Sequence, residues 1–208
     1  MSDSRERRKI SLDDKIASCR KCVSPDLLNV PGITGSAPGF GSLYSPVAIV
    51  GEALCRRCME EREPFVGGSG RILEAAFGRA GIAKSDLFIT NSIHCHPPAD
   101  RDPYPHETAN CSDFLRAELR EIVRPQLVIG VGKFARDAVR GLYAADGYEL
   151  VWPFQGSPLI RQPDMTYLLF PPHPYWIMTR PKPFRDQYVE LLAHAIEWGR
   201  ADAPTLRK

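Results

Sequence analysis

The chain has 208 residues, 43% of them hydrophobic and 25% charged, with a formal net charge of +2. This length suits one α/β domain with a full core, and with no run of eighteen apolar residues a membrane-spanning helix is not expected. The first ten residues are charged and lack an apolar stretch, so no secretory signal is expected and a cytoplasmic protein is.

Residues 1–10 read as a frayed polar tail on a single domain covering 1–208. Leu12 to Ser18 predicts a short helix leading to Cys19. Residues 23–46 carry Pro25, Pro31, Pro38 and Pro46 with four glycines, which predicts an irregular loop. Val47 to Val50 is a first buried strand, ending at Gly51-Glu52. Gly67-Gly68-Ser69-Gly70 precedes a helix with Ile72, Leu73, Ala76, Phe77 and Ala80 on one face. Leu87 to Thr90 is a second strand and stops at Asn91. A loop stiffened by Pro97, Pro98, Pro103 and Pro105 leads to Cys111, read as the start of a helix that ends before Pro125. Leu127 to Val131 is a third strand, followed by a helix over Phe134 to Leu142. Residues 143–166 show no clear period. Tyr167 to Phe170 is a fourth strand, ending at Pro171-Pro172-His173-Pro174. The last helix, Phe184 to Trp198, has a clean helical period.

Alternating strands and helices predict an α/β fold: a three-layer α/β/α sandwich around a four-stranded, mostly parallel sheet. In open sheets of this kind, ligands sit beyond the carboxyl ends of the strands. Glu52, Asn91 and His173 each follow a strand and so converge on one rim. An acid, an amide and an imidazole suit hydrolysis of a bond to a planar heterocycle. The acid positions water, the amide reads the ring's edge, and the imidazole donates to charge on the leaving group. Each of the three also has a structural reading as a cap or turn residue. Phe65 is a candidate for stacking. Arg180, Lys182 and Arg185, spaced by prolines, are candidates for DNA phosphates or for a solvated surface. His94, His96, His106 and His194 stand in no pattern that assigns them chemistry.

Six cysteines in a cytoplasmic chain point to metal ligation rather than to disulfides. Cys19 and Cys22 form one CxxC, while Cys95 and Cys111 stand apart. Cys55 and Cys58 form a second CxxC, read as structural thiols.

Taken in order, these motifs resemble the uracil-DNA glycosylase superfamily, most closely its iron–sulfur family 4. The likeness runs from Cys19 to Trp198. Cys19-Arg-Lys-Cys22 is similar to the N-terminal cluster pair of that family. Gly51-Glu52-Ala53 with Pro64-Phe65-Val66-Gly67 resembles its first active-site motif. Thr90-Asn91, Cys95, Pro97-Pro98 and Cys111 resemble the base-reading asparagine and the remaining cluster cysteines, and His173-Pro174 resembles the second active-site motif. The resemblance implies a [4Fe–4S] cluster on Cys19, Cys22, Cys95 and Cys111, and a monomer that acts on uracil-containing DNA in base excision repair. It implies that Glu52 holds water, Phe65 stacks on uracil, Asn91 reads its polar edge and His173 faces O2, with Gly51 and Ala53 lining the base site.

The chain departs from the family at Leu54-Cys55, where Pro-Gly is usual, and at Cys58-Met59, where acidic residues are usual. A side chain at Cys55 narrows the backbone's approach to a base. Two alternatives stay open: a DNA-binding relative that kept fold and cluster without hydrolysis, and an unrelated protein with a structural zinc.

Overall fold

A computed structural model of the chain describes residues 4–22, 36–61, 63–156 and 161–201. The elements in order are α1 (Ser4–Ala17), β1 (Phe40–Gly41), β2 (Val47–Gly51), α2 (Arg56–Glu61), α3 (Gly70–Arg79), β3 (Phe88–Asn91) and α4 (Pro105–Arg116). They continue with β4 (Leu127–Gly130), α5 (Lys133–Leu142), β5 (Gly147–Glu149), β6 (Thr166–Leu169), α6 (Pro174–Met178) and α7 (Lys182–Arg200). Among the described residues, no helix is long and apolar enough to cross a membrane.

The sheet has six strands in the order β1-β3-β2-β4-β6-β5, not the expected four. All pairs are parallel except β1 with β3. The two additional strands are two and three residues long, too short to show an alternating pattern. The four long strands match the continuous apolar runs, as expected where both faces are covered.

Alternate residues along each strand serve opposite layers. Val47, Ile49, Ile89, Leu127, Ile129 and Leu169 pack with Leu73 and Phe77 of α3 and Leu192 and Ile196 of α7. Ala48, Val50, Phe88, Val128 and Leu168 pack with Ile16 of α1, Leu115 of α4 and Val139 of α5. This division follows the two-residue period of a strand.

Two helices start more than five residues before the sequence expectation. Residues 4–10, read as a frayed tail, form the first half of α1, which is held by Lys9 Nζ donating to Asp13 at 2.5 Å and to the Gly39 carbonyl at 2.9 Å. The α4 helix begins at Pro105, which places Cys111 in mid-helix. Proline is well suited to the first helical position. The Glu107 carboxylate accepts the Tyr104 backbone N–H at 2.7 Å and both Arg101 terminal nitrogens at 2.8 and 2.7 Å. The helix continues as wider π turns over Ala117–Val123 and stops at Arg124, whose φ is 54°.

β2 lies between β3 on one side and β4 on the other, so connections leave it in both directions. A topological switch point of this kind opens a crevice at the carboxyl ends of the strands.

Candidate active site

A cleft of about 560 Å³ occupies that crevice, and Glu52, Phe65, Asn91 and His173 all line it. The volume is in the range usual for small-molecule sites. The structure therefore brings together Glu52, Asn91 and His173, which the sequence placed at one rim, and adds Phe65, the stacking candidate, from a fourth segment.

Gly51 ends β2 in register with Asn91 of β3. A Cβ on Gly51 would lie 2.4 Å from Asn91 Oδ1 and 2.9 Å from Phe65 Cζ. The missing side chain is what lets amide and ring meet. Asn91 is buried, which fixes its amide against the cleft. Phe65 has a φ of 57°, a left-handed conformation uncommon for a bulky residue. It is held there by the turn that follows, where Gly67 and Gly68 also have positive φ and the Gly70 N–H donates to the Gly67 carbonyl at 2.8 Å. A Cβ on Gly70 would fall 1.8 Å from the Phe65 carbonyl oxygen, so the turn closes only with glycine there. Strain of this kind costs on the order of 1–3 kcal/mol and clusters at ligand clamps.

Backbone pairing continues past the strand ends and stiffens the rim. Ser92 N–H donates to the Gly51 carbonyl at 2.8 Å and Ile93 N–H to the Glu52 carbonyl at 3.1 Å. The Ser92 hydroxyl also donates to the Glu52 carbonyl at 2.8 Å. The Glu52 carboxyl is pushed up to about 7, chiefly by burial and further by the nearby charge of Asp102. It is therefore poised to change charge near neutral pH. Ala53 follows on the same wall.

His173 is the N-cap of α6, and its Nδ1 accepts the Tyr175 backbone N–H at 3.2 Å. That bond leaves the proton on Nε2. Burial lowers the pKa, which keeps the ring neutral with one N–H to offer.

One residue of this region, His96, stands in no sequence pattern that assigns it chemistry. His96 lines the cleft and donates from Nδ1 to the Leu54 carbonyl at 2.9 Å, tying the wall after β2 to the loop after β3. Tyr175 lies at the mouth and is exposed. Nothing in the spacing of His96 singles it out, whereas Tyr175 directly follows His173-Pro174 and is bulkier than the family's usual residue there.

Arg180, Lys182 and Arg185 stand outside the cleft, near its mouth in sequence, at the corner between α6 and α7. The Arg180 guanidinium stacks over Trp176 at 4.1 Å, and Trp176 meets Phe184 edge-on at 5.7 Å. Lys182 pairs with Asp186 at 2.6 Å. Tyr175, Trp176 and Phe184 are all exposed, an arrangement of aromatic and basic side chains suited to stacking and phosphate contacts.

Cys22, Cys95 and Cys111 line a second cavity, closed by Pro97, Pro98 and Glu107. Cys19 lies within electrostatic reach of Cys22, and Asn110 Nδ2 donates to the Cys22 sulfur at 3.2 Å. Among the described residues, no three Cys, His, Asp or Glu side chains close on a single metal ion. The three thiols that face this cavity, with Cys19 near Cys22, are soft sulfur donors of the kind that thiophilic metals take.

Beside this cavity lies a buried ion pair that the sequence pattern did not disclose. Glu118 Oε2 accepts from the Thr90 hydroxyl at 2.5 Å and from His94 Nε2 at 3.1 Å, while Oε1 accepts the Gly39 N–H at 2.7 Å. Burial disfavours the charged imidazole, but Glu118 outweighs it and His94 is pushed up to about 10. His94 Nδ1 meets no oxygen or nitrogen partner among the described residues, and it is the Cys111 thiol that stands beside it, close enough to raise the imidazole's basicity. An N–H left over next to a thiol fits a sulfur that carries negative charge, as a metal-bound thiolate does.

The sequence model of the family described as Uracil DNA glycosylase superfamily matches residues 38–196. The chain is 38% identical over 136 residues to a type-4 uracil-DNA glycosylase of Archaeoglobus fulgidus, a match covering 64% of this chain and 65% of that protein. It is 33% identical over 131 residues to a type-4 uracil-DNA glycosylase of Pyrobaculum aerophilum, covering 63% and 64%. A type-4 uracil-DNA glycosylase of Sulfurisphaera tokodaii is 27% identical over 161 residues, covering 73% and 70%. The chain thus spans just under two-thirds of the length of the first two relatives.

Proposed function

The chain belongs to the uracil DNA glycosylase superfamily, and from that premise we propose that it hydrolyses the N-glycosidic bond of uracil in DNA and leaves an abasic site. The observation that carries this reading is the meeting of Gly51, Phe65 and Asn91 at one point of a cleft that also holds Glu52 and His173. Its relatives' names point the same way.

In this reading the uracil nucleotide leaves the stack and enters the cleft. Phe65 supports the face of the ring. The Asn91 amide donates to O4 and accepts from N3–H, a pairing that cytosine reverses. As the bond lengthens, negative charge gathers on the base and positive charge on the sugar. The His173 Nε2–H donates toward O2 and stabilises the leaving anion. The Glu52 carboxylate holds water and favours the sugar cation. The glycine at position 51 leaves room for the base edge to approach Asn91.

Cys19, Cys22, Cys95 and Cys111 are the residues we assign to a [4Fe–4S] group, since four thiolates are its usual ligation. Bound there, the group supplies a covalent tie between the segment after α1, the proline loop and α4. The excision chemistry is carried by the cleft residues. The exposed Tyr175, Trp176 and Phe184 with Arg180, Lys182 and Arg185 form the surface assigned to DNA. A monomer accounts for the site, because one chain supplies every residue of the cleft. A cytoplasmic location is in keeping with thiols needed as ligands.

The test is incubation of the purified protein with a uracil-containing oligonucleotide, then alkaline cleavage at abasic sites. Strand scission that depends on uracil is expected. Tight DNA binding without scission would favour the non-hydrolysing relative, a reading that draws on Leu54-Cys55 in the cleft wall.

A further inference from the structure

Cys55 and Cys58 are the motif that the proposed reaction leaves unused. Cys55 follows the loop after β2 and is exposed, whereas the sequence reading had made it a structural thiol. Cys58, in the first turn of α2, is buried. The Cys58 backbone N–H donates to the Cys55 sulfur at 3.2 Å, and the two thiols are hydrogen-bonded to each other. Both line the cleft that holds Glu52, Phe65 and Asn91.

We propose that Cys55 and Cys58 form a reversible dithiol–disulfide site in the wall of the cleft. One cysteine is open to solvent and the other is shielded behind it, the arrangement an attacking and a resolving sulfur require. Cys55 immediately precedes α2 and Cys58 lies in its first turn; the same spacing wholly within a helix sets Cβ atoms about 5–6 Å apart, against about 3.5–4.5 Å in a disulfide. The pair stands at the first turn of a six-residue helix, where small backbone shifts close that gap.

The oxidant is a low-molecular-weight disulfide such as oxidised glutathione. Cys55 loses its proton to solvent and attacks one glutathione sulfur, releasing the first glutathione thiolate. Cys58 then loses its proton and attacks the Cys55 sulfur of the mixed disulfide, releasing the second. Two protein thiols are oxidised, one glutathione disulfide is reduced, and the two protons end on the two glutathione thiolates. Although the residue is exposed, its sulfur is partly shielded beside Cys58, and this desolvation, with the hydrogen bond between the two thiols, pushes the Cys55 thiol up to about 11. The reduced pair then gains little from ionisation near neutral pH, which makes the attack slow and the disulfide comparatively stable once formed. Closure ties Cys55 to Cys58 and stiffens the wall that begins at Glu52. The effect on DNA rests on the uracil reading above; the bond itself does not.

The protein, purified anaerobically, is equilibrated without oxygen in glutathione buffers of rising disulfide fraction. Free thiols are trapped with iodoacetamide and mapped by mass spectrometry. We expect Cys55 and Cys58 to become unreactive together, in a linked peptide lighter by two hydrogens, and to be restored by dithiothreitol. Affinity for a uracil-containing oligonucleotide should fall several-fold on oxidation, and this fall should vanish in Cys55→Ser. Both thiols staying reactive at every ratio, or Cys55 halting as a glutathione adduct, overturns the site. A linked pair with unchanged DNA affinity overturns its coupling to the cleft. A linked pair in a protein that releases no uracil supports the dithiol site and counts against the glycosylase reading alone.

Discussion

His173 rests directly on Gly132: a Cβ at Gly132 would stand 2.9 Å from both Cβ and Cδ2 of His173. Gly132 also has a φ of 91°, where a side chain is strained. Gly132→Ala should therefore push the imidazole off its position. A displacement near 1 Å at a catalytic group costs on the order of a hundredfold. Single-turnover excision by Gly132→Ala is expected to fall toward that of His173→Ala, itself down about a hundredfold to a thousandfold. Parent-like rates in Gly132→Ala would show that the imidazole tolerates the shift and that its placement is not critical.

Glu52 links rate and stability to pH with opposite signs. Its carboxyl is raised to about 7. If the carboxylate is the working form, excision should climb as pH rises through about 7 and then level, and Glu52→Gln should be slow and flat. The raised value also means that the native state keeps a proton that the unfolded chain has lost. Stability from this group is full below the ordinary value of 4.5 and is lost as pH rises through about 7. Glu52→Gln should thus unfold at higher urea than the parent at pH 8 and match it at pH 4. A less stable variant at pH 8 would contradict this sign.

Asn91→Asp removes the donor to O4 and leaves only acceptors. Competition between uracil and cytosine oligonucleotides should show uracil selectivity falling, with cytosine release appearing. Unchanged uracil kinetics would exclude Asn91 from reading the base.

The Glu118–His94 pair is fully buried, and breaking one side of such a pair costs about 3–5 kcal/mol. Glu118→Ala strands His94, Thr90 and the Gly39 N–H at once. Urea unfolding is expected to show a loss of that size with the slope unchanged. A loss under about 1 kcal/mol, the scale of an exposed pair, would mean that water replaces the carboxylate.

The corner between α6 and α7 allows a test of DNA contact apart from chemistry. Arg180→Ala should weaken binding uniformly across sequences and reduce the salt slope by about one. Trp176→Ala should cost about 1–3 kcal/mol if the indole stacks on a base. Binding titrations at several salt concentrations check both, and unaltered affinity in both would move the DNA surface elsewhere.

Legibility in the sequence followed the range of each signal. Val47 to Val50 and Leu127 to Val131 could be read because a strand buried on both faces is apolar throughout. The rim could be read because Glu52, Asn91 and His173 each interrupt or follow such a run. The start of α4 does not show in the sequence because Pro105 stands among loop prolines, although proline is at ease at a first helical position. Glu118 looked like any helical glutamate. Its role depends on Gly39 and Thr90, 79 and 28 residues away, which no local pattern reports. His96 was hidden for the same reason, its partner being the Leu54 carbonyl 42 residues back.

The sheet's two ends bear on how the protein behaves at high concentration. An open sheet normally presents a ladder of unpaired N–H and C=O groups at each side, ready to recruit another chain. Here one side ends in Phe40–Gly41 and the other in Gly147–Glu149. At the first, a Cβ on Gly41 would lie 1.9 Å from the Leu87 carbonyl oxygen, so the strand is kept to glycine there and turns away at once. At the second, Glu149 is tied to Arg140 and places a charge beside the ladder. Each side offers only a few backbone groups in line, too few to template a further strand. The four-stranded parallel core is thus screened from self-association by the two short strands that flank it, and lengthening either with alternating valine and threonine should turn a dispersed protein into one that aggregates.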